Sequence, residues 1–185
     1  GTTRLGDLSI TSAANVSGSS VRAASITQSA GTGTTSFTGL LDTNTASGIS
    51  LTGSAFAHSG GATTTTGGNV AIDHAGLLTI SGAAWTVNGD VTSTGAGATS
   101  LGVTITTTGS DIIFAGPVTL IGDTVLDSSA DNGLITFGST LDGGFNLSLT
   151  AGTGSVFFNG AVGGTTRLGD LSIVSAANVS GSSVR

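Results

Sequence analysis

The chain has 185 residues, of which 32 are Gly, with ten acids (all Asp), four cations (all Arg), and no Lys, Glu, Cys, Met or Tyr. Without cysteine it has neither disulfides nor zinc ribbons, and its net charge of −6 argues against nucleic acid and anionic membranes as partners, both of which call for basic patches. Low complexity with few charges is often a mark of disorder, but here Val, Ile, Leu and Phe recur at controlled spacing, and a chain this apolar must bury them or aggregate.

Residues 1–22 read GTTRLGDLSITSAANVSGSSVR and residues 164–185 read GTTRLGDLSIVSAANVSGSSVR, differing only where Thr11 becomes Val174. Near-identity over that length, between a segment that opens at Gly1 and one that opens at Gly164, is the signature of a tandem array. The expected organisation is one full repeat over 1–163 and the start of the next identical repeat over 164–185. The repeat 1–163 carries nine Asp and two Arg, an acidity suited to keeping a long object soluble.

Two shorter patterns run along the chain. One is an apolar residue, any residue, a glycine and a second apolar residue, at Val16–Val21, Phe37–Leu41, Val87–Val91, Phe114–Val118, Phe158–Val162 and again from Val179, with Phe137–Leu141 as a variant. The other is a short alternating strand, at Leu8–Ile10, Ser25–Thr27, Ile49–Leu51, Leu78–Ile80, Val103–Ile105, Thr124–Leu126, Leu147–Leu149 and Leu171–Ile173. Seven uneven steps thus lead from Leu8 to its copy Leu171 and together span the whole repeat. Two phase-locked strand series at about 23 residues per turn predict an all-β fold, a parallel β-solenoid (β-helix) of about seven coils per 163-residue repeat.

Alternation sends Leu, Ile, Val and Phe inward and Ser, Thr and Asp outward. The expected buried ladder is Ile10, Val16, Phe37, Leu51, Ile80, Val87, Ile105, Phe114, Leu126, Phe137, Leu149 and Phe158. Asn88-Gly89, Asn132-Gly133, Asp142-Gly143 and Asn159-Gly160 are expected to supply positive φ at corners. Pro117 follows a corner glycine, where a missing N–H does least damage. A helical reading fails, because Thr, Ser, Gly and β-branched residues are poor helix formers and no 3.6-residue apolar stripe persists. No apolar run reaches the ~20 residues of a membrane helix, and a membrane barrel would call for aromatic girdles. With strands ~4.8 Å apart along the stack, seven coils advance roughly 34 Å.

Two stretched steps are expected to loop out, one between Leu51 and Leu78, which holds both histidines, and one between Val91 and Val103. Loops carry function more often than scaffolds do, so residues 52–68 are the candidate for a binding loop. The chemical constellations are thin. His58, His74 and Asp73 lack any metal-ligand or acid/base spacing. Asp123, Asp127, Asp131 and Asp142 lack the nonapeptide that secures calcium in solenoid corners. Thr63 to Thr66 and Thr104, Thr106 and Thr108 are outward rows of the kind flat ice-binding faces use, with coil lengths too variable to align them. Asn15, Asn146 and Asn178 open glycosylation sequons, at a frequency that chance explains in so Asn/Ser/Thr-rich a chain. No catalytic, cofactor-binding or metal residue is therefore assigned, no cofactor is expected, and the reading is not an enzyme.

The run GGFNLSLTAGTGSVFFNGAVGGTTRLGDLSIVSAANV, covering residues 143–179, resembles the repeats of giant bacterial exoproteins of the filamentous-haemagglutinin-like and autotransporter-passenger-like classes. That resemblance implies a secreted or surface-bound β-helical stalk, fibre or adhesin of a bacterium, extracellular and without a cofactor. The expected function is a structural, self-stacking repeat of a long fibre whose partner is itself. Expected rivals are an adhesin module binding host or surface glycans through 52–68, and, less in keeping with the absent Lys, Glu and Tyr, a polysaccharide lyase or hydrolase. Ends cut in mid-coil would leave strand edges open, so an excised unit is expected to stack end to end or precipitate.

Overall fold

The computed structural model describes residues 3–108 and 110–185; Gly1, Thr2 and Gly109 lie outside the described residues, so the first copy of the duplicated segment is followed from Thr3. Among the described residues, apart from one turn of 3₁₀ helix at Ser129–Asp131, the regular structure is strand, and the pairings between turns are parallel. The chain winds as a parallel β-solenoid of about eight turns.

A typical turn contributes three short strands, as in Val70–His74, Leu78–Ser81 and Trp85–Val87. Each stacks on its counterpart in the turns below and above, building three faces. Face 1 aligns Leu8, Ile26, Ile49, Val70, Val91, Ile112, Ile135 and Val156. Face 2 runs from Val16 and Thr35 through Phe56, Leu78, Thr99 and Val118 to Leu141 and Val162. Face 3 runs from Val21 and Leu41 through Ala62, Trp85, Ile105 and Leu126 to Leu149 and Ile173. Strand Ser155–Val162 rounds the corner between faces 1 and 2, pairing with Ile135–Phe137 on one side and Leu141 on the other.

The period-two alternation explains why these residues make these strands. Inward positions carry Val, Ile, Leu and Phe, and fully burying each such side chain stabilises the fold by about 1.5–3 kcal/mol. In-register parallel stacking then places like on like, so Phe114, Phe137 and Phe158 form a column with ring centroids 5.9 and 5.6 Å apart and rings nearly parallel. Ten of the twelve ladder residues are buried as expected, whereas Ile10 and Val16, in the first turn with no turn beneath them, are half-buried.

Three faces per turn, rather than two strand series, correct the reading of the stretched steps. Residues 52–68 do not loop out: Ala55–His58 and Ala62–Thr64 are regular strands of the third turn. The second stretch is likewise strand at Val91–Thr94 and Thr99–Gly102, with only a short turn between. The steps are long because the alternating motif moves from face 1 at Ile49 to face 2 at Leu78 and face 3 by Ile105, a turn and a third each time. From Leu8 on face 1 to its copy Leu171 on face 3 the path is seven complete turns plus two further faces.

The corner glycines also divide. Asn132 and Gly143 do take positive φ, 57° and 125°. Gly89, Gly133 and Gly160 do not, and what excludes a side chain there is the turn below, through its backbone at Gly133 and Gly160 and through the Asn69 side chain as well as backbone at Gly89; a Cβ on Gly160 would lie 2.6 Å from the Ser139 carbonyl oxygen. Tight stacking of corner on corner, not turn chirality, selects these glycines.

Candidate functional site

The polar side chains sort into three sets: those inside the coil, those at its corners, and a charged cluster beside the first turns. Inside, His58 and His74 occupy inward strand positions and are buried, at 6% and 1% exposure. The ring nitrogens of His58 face the carbonyl oxygens of Phe37 at 3.1 Å and Gly61 at 3.0 Å, and its ring lies 5.5 Å from that of Trp85. Burial disfavours the charged imidazole and lowers its pKa, against the smaller upward pull of the Gly61 and Phe37 carbonyls. His74 places Nδ1 2.8 Å from the Gly76 carbonyl and Nε2 2.8 Å from Ser93 Oγ, and that hydroxyl lies 3.2 Å from Thr99 Oγ1. Asp73, the residue before it, points to solvent because strand neighbours face opposite ways. The structure therefore does not bring His58, His74 and Asp73 together.

Gln28 is the third buried polar anchor, accepting from Thr35 Oγ1 at 2.8 Å and donating to the Thr52 carbonyl at 3.3 Å. These three are tolerated in a dry interior because each finds partners. Beside Phe37, Phe56, His58 and Trp85 lies a void of about 20 Å³, room for roughly one water and no substrate. The groove between Gly31, Gly53, His74 and Gly95 is a shallow outer trough with Asp73 as its one carboxylate. Neither offers the paired acids that glycoside cleavage requires.

At the corners, Asn and Asp side chains tie each turn to the next. The Asp90 N–H donates to Asn69 Oδ1 at 2.9 Å, the Asp111 N–H to Asp90 Oδ1 at 3.0 Å, and the Leu134 N–H to Asp111 Oδ1 at 2.7 Å. A second ladder precedes face 3, where the Asn146 N–H donates to Asp123 Oδ1 at 3.0 Å and the Asp170 N–H to Asn146 Oδ1 at 2.8 Å. Of the acids singled out for calcium, Asp123 and Asp142 tie turn to turn in the same way, whereas Asp127 is engaged within its own turn. Asp142 accepts the N–H groups of Thr165 and Thr166, and Asp127 accepts from the N–H and hydroxyl of Ser129. Among the described residues no three acids or histidines converge on a metal position. Two sequon asparagines serve these corners as well, Asn15 accepting from the Thr34 N–H and Asn146 from Asp170.

The ladder has a sequence signal that strand periodicity alone passes over: an Asp or Asn stands immediately before the first apolar residue of the strand at Asp7-Leu8, Asn69-Val70, Asp90-Val91, Asp111-Ile112, Asn146-Leu147 and Asp170-Leu171. The outward threonines align less well. Thr63, Thr86 and Thr106 are in register on face 3, but the column runs into Asp42 on one side and Asp127 on the other, and Thr64 points inward.

The charged cluster joins three turns. Arg4 meets both carboxylate oxygens of Asp42 at 2.8 and 2.9 Å, and Arg22 Nε reaches Oδ2 at 2.8 Å. Partial burial would raise the Asp42 carboxyl, but the hydrogen bonds and charges of Arg4 and Arg22 outweigh it and hold the group below its ordinary range. The other copies of these arginines, Arg167 and Arg185, lie in the last turns.

What the arrangement offers is surface at its two ends. The first turn presents half-buried Leu8, Val16 and Val21, and the last turn leaves Val174, Val179 and Val184 more than half exposed. Both turns are built from the duplicated sequence. No family model, curated protein or solved structure matches the chain.

Proposed function

We propose that the chain is a structural repeat of a long extracellular fibre, stalk or surface layer, in which each turn is stacked to extend the last. One observation carries this reading. The segment that forms the first turn recurs at 164–185 and forms another turn of the same coil, so the sequence already contains the beginning of its own continuation. In such an array stability accumulates through contacts between adjacent turns, and length is the product. Location outside a bacterial cell rests on the resemblance of residues 143–179 to exoprotein repeats. With residues 52–68 folded into a turn, the glycan-binding alternative loses the loop it was to act through, and neither of the two cavities described above offers the hydrolase a pair of acids.

The test is length against repeat number. Chains of two, four and six tandem repeats, closed by residues 164–185, are expected to appear in electron micrographs as unbranched rods that lengthen by about 37 Å per repeat, at ~4.8 Å per turn. Compact particles whose length does not grow with repeat number would overturn the proposal.

A further inference from the structure

The duplicated segment shows the same turn from both sides. In the first copy the neighbours above are visible: Leu8, Val16 and Val21 stack under Ile26, Thr35 and Leu41. In the second copy the neighbours below are visible: Leu171, Val179 and Val184 stack over Leu147, Val156 and Val162. Each copy is satisfied on the side where the other is open. The one residue that differs, Thr11 or Val174, points outward in both, so the inward face of the turn is identical.

Combining the two views gives the joint between repeats, and the joint does not close on the face where it began. Leu8 starts on face 1, whereas Leu171 lies over Leu147 on face 3, and Val179 takes the place on face 1 that Val16 holds on face 2. Resting on the array reading above, we propose that each 163-residue repeat advances seven and two-thirds turns, so that the end of one repeat receives the next copy rotated by a third of a turn and the array follows a threefold screw. Every third repeat returns to the same face, after roughly 110 Å of rod.

Two further details fit this joint from above and below. Asp170 gives its N–H to Asn146 Oδ1 at 2.8 Å, and its copy Asp7 accepts from Ser25 Oγ at 2.6 Å. The corner ladder that precedes face 3 in one repeat thereby passes, through this aspartate, into the corner that precedes face 1 in the next. Gly181 lies over Phe158, where an added Cβ would stand 3.4 Å from the Phe158 Cβ, and its copy Gly18 lies under Phe37, with a Cβ 3.1 Å from the ring. The glycine is therefore the spacer that lets the Phe114–Phe137–Phe158 column of one repeat meet Phe37 of the next. A joint of eight whole turns would put Leu171 over Val156 and leave Asn146 without Asp170.

The slip has a functional consequence for a fibre. A patch carried once per repeat is displayed on all three sides of the rod in rotation, instead of along one edge. The joint is a heterologous, non-closing contact between copies, the kind that yields filaments.

The chain has no cysteine, so an introduced pair reports one neighbour relation. In-register strands lie ~4.8 Å apart, inside the range that a disulfide spans. The full chain with Ser148→Cys and Ser172→Cys, registered partners on face 3, is expected to oxidise to an intramolecular disulfide. So is the internal control Thr86→Cys with Thr106→Cys. Phe157→Cys with Ser172→Cys, which only an eight-turn joint would align, is expected to stay reduced. Cross-linking of that last pair, or failure of the Ser148 and Ser172 pair while the control forms, overturns the slip. In the multi-repeat rods, a gold label on one cysteine per repeat at Thr92 is expected to step by a third of a turn. Rods with every label along one edge overturn the screw and leave the fibre standing, whereas the absence of rods removes the array reading itself.

Discussion

Phe137 is the most informative place to break the coil. Its side chain is fully buried and lies between Phe114 at 5.9 Å and Phe158 at 5.6 Å. Phe137→Ala removes the transfer energy of a whole ring and leaves a cavity that the stacked turns above and below can fill only partly, a loss of about 3–5 kcal/mol. The two ring pairs contribute about 0.5–1.5 kcal/mol each beyond area, which places the expected cost in the upper half of that range. Phe137→Asp, with a buried unpaired charge, is expected to open the stack outright. Because each turn contacts only its neighbours, the damage should be local. Hydrogen exchange, read together with urea unfolding, is expected to show faster exchange in the strands Ile112–Phe114, Ile135–Phe137 and Ser155–Val162 and unchanged protection around Val70–His74. The control is Val174→Thr at an exposed site, which installs the residue of the other copy and is expected to change stability by less than about 0.5 kcal/mol. A Phe137→Ala protein that loses less than about 1 kcal/mol, or whose exchange rises uniformly along the chain, would refute the stacked-column argument.

The pKa of His58 is lowered on folding, so the folded state binds fewer protons: its contribution is fully present above about pH 6.5 and is lost as the pH falls below that value toward the folded pKa. Melting temperature against pH should therefore slope downward on the acid side of 6.5, and His58→Phe, which extends the ring column above Phe37, should flatten that slope. Asp42 acts further down, since its carboxyl is held low by Arg4 and Arg22; its contribution is present above its ordinary pKa of 3.8 and is lost only as the pH falls below that, and Asp42→Asn should remove this low-pH component alone. Asp111→Ala unties the Leu134 N–H and is expected to cost about 0.5–1.5 kcal/mol in urea unfolding, with Asp111→Asn close to neutral. Gly18→Ala forces a Cβ to 3.1 Å from the Phe37 ring and should lower stability by about 1 kcal/mol or more, whereas Gly181→Ala, at ordinary contact with Phe158, should be neutral or slightly stabilising; equal effects would contradict the two-sided view of that glycine.

The solenoid was legible because its forces are written locally. A buried position every second residue and a corner glycine roughly every turn are visible without knowing which strand pairs with which. What the sequence hides is the number of faces. Ile49 and Leu78 carry the same apolar-polar-apolar signature, and nothing in the residues says that one belongs to face 1 and the other to face 2. Long steps therefore resemble insertions, and residues 52–68 resemble a loop. The histidines add to that impression, since His58 and His74 look polar; only the carbonyls of Phe37, Gly61 and Gly76 that receive them explain their burial. The corner ladder could have been found, because Asp7, Asn69, Asp90, Asp111, Asn146 and Asp170 each stand just before a strand, but its purpose appears only when the N–H one turn later is located.

The ambiguity between faces is itself the property that lets the repeat length be what it is. A strand in this coil requires an apolar inward side, an in-register neighbour below and above, and a corner whose N–H groups are met; none of these conditions refers to a particular face. Leu171–Ser175 satisfies them on face 3 with the inward residues that Leu8–Ile10 uses on face 1. A duplicated unit therefore need not contain a whole number of turns to continue the stack. It need only end on some face with its columns in register, and this repeat meets that condition two faces beyond the seventh turn. Selection on such a repeat would act on the column joints, Asp7 with Asn146 and Gly18 with Phe158, more strongly than on its length.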